Sequence, residues 1–192
     1  MWKMIVFILS TILLVYVSRA SLRKPRSHGF YRFFAWECML VLFLLNVDFW
    51  FPNPFAWNEI IAWALLLACI VPLAFGVQSL RSHGKPTEIR IGDDSLPAFE
   101  QTTQLVSSGI YHFIRHPLYS SLLLLTWGMF FKSIAPAGIA LATVAAFFLV
   151  FTAKADEAEC VEFFGSAYSD YMKTTRMFIP YVYLFMTLEQ EP

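Results

Sequence analysis

Charge is scarce in this chain. Asp, Glu, Lys and Arg together make up 15% of its 192 residues, where a soluble domain carries about a quarter. That shortage excludes a water-soluble globule, and the 58% hydrophobic content, the 20 Phe and a mean hydropathy of +0.57 point instead to a membrane domain with a modest wet cap. Fourteen basic and fourteen acidic residues cancel, so no broad positive surface exists to attract nucleic acid. Cysteine is sparse too. Cys38, Cys69 and Cys160 are odd in number and far apart, which argues against a disulfide scaffold or a thiolate metal site and leaves them as small apolar filler. His28, His83, His112 and His116 form no HExxH pattern, so no metal is expected. No P-loop, GxGxxG, internal repeat or low-complexity tract occurs, and Ser120 and Ser121 stand outside any G-x-S-x-G elbow, which excludes a serine hydrolase.

What remains is a series of apolar runs. Met1 to Val17 carries Lys3 before an oily core, as a signal peptide does. The core is longer than the usual ~7–15 residues and a basic cluster, Ser18 to Pro25, follows it, so a retained first span is expected, with cleavage as the alternative. Phe33 to Trp50 and Ile60 to Val77 are the second and third spans, with Glu37 and Asp48 near segment ends where a carboxylate reaches water. Leu122 to Phe131 and Ile134 to Thr152 flank Lys132-Ser133, which reads as the tip of a helical hairpin. The expected fold is all-α and integral to the membrane, with about five transmembrane helices and a cytosolic C-terminal amphipathic helix. It forms one domain over 1–192: three spans in 1–78, a cytosolic loop in 79–116, a hairpin in 117–153, and a cytosolic helix and tail in 154–192. Arg19, Arg23, Lys24, Arg26 and Arg32 crowd the first loop without an acid, whereas Phe51 to Asn58 has no charge. The positive-inside rule then makes the first loop cytoplasmic and brings the long loop and the tail to the same side.

Two polar elements can meet there. Tyr111, His112, Arg115, His116 and Tyr119 gather at Pro117, whose fixed φ and missing donor suit a first helical turn, leaving free N–H groups for an anion or carboxylate. Arg115 either adds a two-pronged contact to that anion or snorkels to headgroups. In the tail, Glu157, Cys160, Val161, Phe164, Tyr168 and Tyr171 recur at helical intervals, while Asp156, Glu159, Ser166 and Asp170 lie more to the side. Glu159 and Glu162 read as solvated surface. Glu157, on a greasy face, needs a partner because an unpaired buried carboxylate is expensive. Arg176-Met177-Phe178-Ile179-Pro180 then brings a cation to an apolar surface, as headgroup contact or as a seat for a fatty molecule with an anionic end. Loop 83–108, rich in Gly, Pro, Asp and Thr, reads as turns.

At these residues the chain resembles the membrane methyltransferases typified by isoprenylcysteine carboxyl methyltransferase and the related phospholipid methyltransferases. The matching elements are Gly109-Ile110-Tyr111, Arg115-His116-Pro117-Leu118-Tyr119, the acids Asp156-Glu157, the stretch Phe164-Gly165-Ser166-Ala167-Tyr168-Ser169-Asp170-Tyr171, and Arg176 to Pro180, in that order. The resemblance covers about Val106 to Pro180 well and the first three spans loosely. It implies binding of S-adenosyl-L-methionine on the cytosolic side through Tyr111, Arg115, His116, Pro117, Tyr119, Asp156 and Glu157. The acceptor enters from the membrane. Glu157 is assigned a polar cofactor contact, such as the amino group, and Arg176 the acidic end of the acceptor. Two departures stand out: Asp156 where the family often has Glu, and Ser121 where it commonly has Gly.

The implied function is methyl transfer to a membrane-embedded or lipophilic acceptor, a carboxylate among the candidates. A carboxylate is already nucleophilic and needs only alignment. An amine, as in phospholipid N-methylation, must first lose a proton, which makes Glu157, His116 or a tyrosine worth testing. A noncatalytic lipid-binding protein on the same scaffold is the remaining alternative. The expected partners are the acceptor and membrane lipids, in a bacterial inner membrane or the endoplasmic reticulum; no oligomer interface can be named.

Overall fold

The computed structural model describes residues 1–51, 53–83 and 104–178. Most of the 83–108 loop, and Ile179 and Pro180 of the final motif, therefore lie outside the described residues. The helices are α1 Trp2–Val17, α2 Arg19–Leu22, α3 His28–Asn46, α4 Trp57–Ala68, α5 Ile70–His83, α6 Pro117–Lys132, α7 Pro136–Phe164 and α8 Ser166–Thr174. Among the described residues no named strand occurs, and one parallel bridge joins Ile114 to Arg176. The fold is all-α.

Among the described residues three stretches are long and apolar enough to cross a membrane: His28–Phe49, Trp57–His83 and Pro136–Phe164. The second joins α4 and α5 across Cys69, and it reaches further at both ends than the expected Ile60 to Val77. α1 and α6 have 16 residues each, about 24 Å at 1.5 Å per residue and short of a ~30 Å hydrocarbon core. Ile5, Leu9 and Leu13 on α1, Ile60 and Phe75 on the α4–α5 rod, and Phe147 on α7 lie exposed, the apolar exterior that lipid favours.

The bundle core is small and dry: Met39 and Leu42 of α3, Leu66 of α4, Met129 and Phe130 of α6, and Ala142 and Ala145 of α7. The two alanines are fully buried and let α7 lie close along α3, the most extensively packed helix pair. α1 buries no residue and is held by polar contacts, Lys3 to Asp48 at 2.5 Å and Thr11 to Glu37 at 3.0 Å. Glu37, expected near a segment end, lies well inside α3, because that helix begins at His28 and not at Phe33.

α7 is continuous through the point that divides hairpin arm from tail in the sequence. Ala153-Lys154-Ala155 contains only strong helix formers, so the helix runs on until Gly165. There φ is +62°, a conformation that costs an L side chain a penalty glycine avoids. The chain turns back at that glycine into α8, which buries Tyr168 and Tyr171.

At the opposite end of the bundle Lys132, expected at an exposed hairpin tip, is 2% exposed. Its ammonium lies 2.6 Å from Glu59, 3.1 Å from the Trp50 carbonyl and 3.9 Å from the Trp63 ring centre. A buried charge without its partner is strongly destabilising, whereas replacing both partners by apolar groups is far cheaper. Lys132→Met is therefore expected to cost about 3–5 kcal/mol in unfolding of the detergent-solubilised protein, with much of the loss recovered in Lys132→Met/Glu59→Leu. A double variant no more stable than the single one would refute the pairing as the cause.

Candidate active site

The site grows from the corner that starts α6. Pro117 occupies the first helical turn, where its missing N–H costs nothing, and His116 precedes it as the N-cap. The segment before the corner is pinned by backbone bonds to the chain after α8: Arg115 N–H donates to the Arg176 carbonyl at 2.7 Å, His116 N–H to the Met177 carbonyl at 3.1 Å, and Arg176 N–H to the Phe113 carbonyl at 3.1 Å. The Ser120 hydroxyl adds a 2.8 Å contact to the Phe178 carbonyl. Gly109, with φ +64°, lets the preceding turn lie against α5, since a Cβ there would stand 2.6 Å from the Ser79 hydroxyl. Next to it Tyr111 is buried, and its carbonyl accepts from the Tyr171 hydroxyl at 2.6 Å.

α7 supplies the acids. The buried His116 ring lies between them, Nε2 at 3.2 Å from Glu157 and Nδ1 at 3.5 Å from Asp156. Glu157 also accepts from Arg115 Nε at 2.7 Å. Arg115 spends its Nη1 on the carbonyls of Thr175 at 2.6 Å and Met172 at 3.1 Å. These are the orphan acceptors at the end of α8, a natural place for a cation. Arg115 thus joins corner, α7 and α8, meeting Glu157 through Nε alone while its Nη1 holds the end of α8. Tyr119 stacks on His116 at 5.3 Å between ring centres and 21° between planes.

These elements enclose a cavity of about 100 Å³. Of the residues singled out in the sequence, Tyr111, Arg115, His116, Tyr119 and Asp156 line it. Pro117 and Glu157 stand directly behind, Glu157 bonded to both His116 and Arg115. Arg176 is brought beside the corner by its main chain but is not among the described lining residues. Phe164, Tyr168 and Cys160 complete a wall to which the sequence gave a period but no role. Ser121, where the family commonly has Gly, is buried but is not among the described lining residues.

Two assignments change. Asp156, read as lying to the side, faces both His116 and the cavity. Glu159, expected to be solvated, accepts from the His28 backbone N–H at 2.9 Å and from His28 Nδ1 at 2.5 Å. In sequence nothing marks that partner, which is 131 residues away.

Burial drives the His116 pKa down, but hydrogen bonds to Asp156 and Glu157 and their negative charge outweigh it, so the imidazole is held above its ordinary value. Burial pushes the Tyr168 and Tyr171 phenols up, with the charges of Asp156 and Glu157 adding to the effect at Tyr168, so both remain protonated at neutral pH. The described lining of the cavity therefore combines neutral aromatic faces with the Asp156 carboxylate and the already paired Arg115 and His116. Aromatic faces suit a sulfonium cation and a purine ring, and a carboxylate suits an ammonium or ribose hydroxyls. That donor set fits S-adenosylmethionine. The enclosed space is below the roughly 300–1,000 Å³ of sites that swallow a drug-sized ligand, which leaves room for one end of such a molecule.

The sequence model of the phospholipid methyltransferase family matches residues 60–170, more than half of the chain. The chain belongs to that family. The match takes in the Arg115–Tyr119 corner, Asp156 and Glu157, and ends before Arg176. No curated protein and no solved structure matches the chain. Membership makes the protein an S-adenosylmethionine-dependent methyltransferase acting on a lipophilic acceptor, in keeping with its long apolar helices.

The raised pKa of His116 has a testable sign. Its contribution to stability is complete below the ordinary value of 6.5 and is lost as pH rises through the raised folded value. The unfolding temperature in detergent is expected to fall as pH rises across that window, and His116→Asn to flatten the fall. An undiminished slope in the variant would assign the effect to other groups.

Proposed function

We propose that the protein methylates an amine on a membrane lipid headgroup, with S-adenosylmethionine held in the cavity beside Asp156. The observation that carries this reading is the state of the cavity's cations: Arg115 and His116 are each already paired with a carboxylate of α7. A carboxylate acceptor would compete with those acids, whereas an amine meets a carboxylate and neutral phenols. The family's own description, phospholipid methyltransferase, leans the same way.

The bound cofactor supplies an electrophilic methyl group. The chain's residues supply alignment and proton handling. Asp156 holds the cofactor's amino or ribose end from the cavity wall, and Tyr119 and Tyr168 offer their ring faces to the sulfonium. Glu157, one layer back and itself held by Arg115, fixes the His116 ring. An amine must shed a proton before it attacks, and since His116 is already held as a cation the proton acceptor assigned here is the Asp156 carboxylate. Arg176, next to the corner through its backbone, is assigned the acceptor's phosphate. Packing of the aromatic wall keeps water from the reacting groups. A carboxylate acceptor is the second reading; it rests on Arg176 as the cation that would receive it.

Five crossings fit this scheme: α1, α3, the α4–α5 rod, α6 and α7. The basic first loop is joined to the site end of α7 through His28 and Glu159, which supports a cytoplasmic site by the positive-inside rule, in a bacterial inner membrane or the endoplasmic reticulum.

Binding of S-adenosylmethionine to the detergent-solubilised protein tests the cavity. Arg115→Ala and Glu157→Gln are expected to weaken it about tenfold or more, as loss of a charged hydrogen bond does, and Glu162→Gln, on the exposed surface, to leave it intact. Equal binding by all three sinks the assignment. Acceptor class is tested separately by transfer of labelled methyl to bilayers of amine-headgroup lipid or of a lipid-tailed carboxylate. Incorporation into the carboxylate alone would overturn the amine reading.

A further inference from the structure

His28 is 1% exposed and has no part in the site described above. It opens α3, where Ser27 caps the helix by accepting from the Phe30 N–H at 3.2 Å. Both its backbone N–H and its Nδ1 are aimed at one carboxylate, that of Glu159 on α7. Nδ1 facing a carboxylate carries the proton and donates it. The free N–H at a helix start favours the same negative charge, so the two contacts reinforce each other.

Glu159 lies three residues beyond Asp156, on neighbouring ground of the same helix. The far part of α7 is therefore gripped from two directions, by Arg115 and His116 acting on residues 156 and 157 and by His28 acting on residue 159. Consecutive residues on a helix point about 100° apart. Only a narrow range of α7 rotation lets Asp156 and Glu157 reach opposite nitrogens of one imidazole, and the His28 contact resists rotation out of it.

We propose that His28, acting through Glu159, is a positioning residue for methyl transfer: it fixes the rotation of α7 that turns Asp156 into the cavity. The inference rests on the reading that S-adenosylmethionine binds beside Asp156. His28 touches neither cofactor nor acceptor; it works at one remove.

The test is a double-mutant cycle on S-adenosylmethionine affinity, measured on the full chain in detergent with His28→Ala, Asp156→Asn and the two combined. His28→Ala is expected to weaken binding about fivefold, within the range for members of one hydrogen-bond network. His28→Asn, whose amide nitrogen takes the place of Nδ1, is expected to restore most of it. The combined variant is expected to bind no more weakly than Asp156→Asn alone. Wild-type affinity in His28→Ala, or its full penalty repeated on the Asp156→Asn background, overturns the proposal. Wild-type affinity in Asp156→Asn overturns the cavity assignment itself, and the positioning role with it. If His28→Ala does not fold, Glu159→Gln, which keeps an acceptor for the backbone N–H but loses the charge facing the imidazole, takes its place in the cycle with the same outcomes.

Discussion

The imidazole of His116 is buried between carboxylates from two adjacent residues of one helix, and Arg115 ties the nearer of them to the end of the next helix. Each charge would be costly in a desolvated corner without the others. Together they account for most of what surrounds them: α7 must run straight to reach the corner, the chain must reverse at Gly165 so that α8 offers its carbonyls to Arg115, and the strand after α8 must return along Ile114. Removing one partner leaves a buried charge that the remaining elements are not placed to satisfy.

Much of this was legible before any coordinates. Hydropathy located the long apolar stretches, and the order Arg115-His116-Pro117-Leu118-Tyr119, then Asp156-Glu157, marked the two halves of the corner. The illegible parts share a physical cause, because they depend on groups without a sequence signature. Arg115 gives its Nη1 to backbone carbonyls, which every residue possesses. Glu159 looks like surface because its periodicity places it beside the greasy face, and its partner opens a distant helix. Lys132 reads as a turn residue until Trp50, Trp63 and Glu59 close around it. The division at Lys154 between hairpin and tail has another cause: a change from apolar to polar composition marks the end of a span but does not end a helix.

Family membership supplies the reaction, and the site's geometry narrows what each side chain does within it. Acids at the corner divide into one that lines the cavity and one that braces the histidine. The distinction matters for substitutions at Asp156, where the chain departs from the more frequent glutamate. A shorter side chain on the lining position leaves space at the wall, and the buried histidine still holds its charge. The aromatic wall of Phe164, Tyr168 and Tyr171 lies on and beside the Gly165 turn, so the same reversal that satisfies Arg115 also lays rings across the cavity.

α7 carries a mechanical implication. With 29 residues in one unbroken helix it is about 43 Å long, so its apolar part, long enough to cross a hydrocarbon layer, continues without a joint into the polar turns that carry the site. Its far end holds the carboxylates that grip His116, so tilt is levered into lateral displacement at the corner. The thickness of the surrounding bilayer, which sets the tilt of a spanning helix, is thereby connected mechanically to the corner.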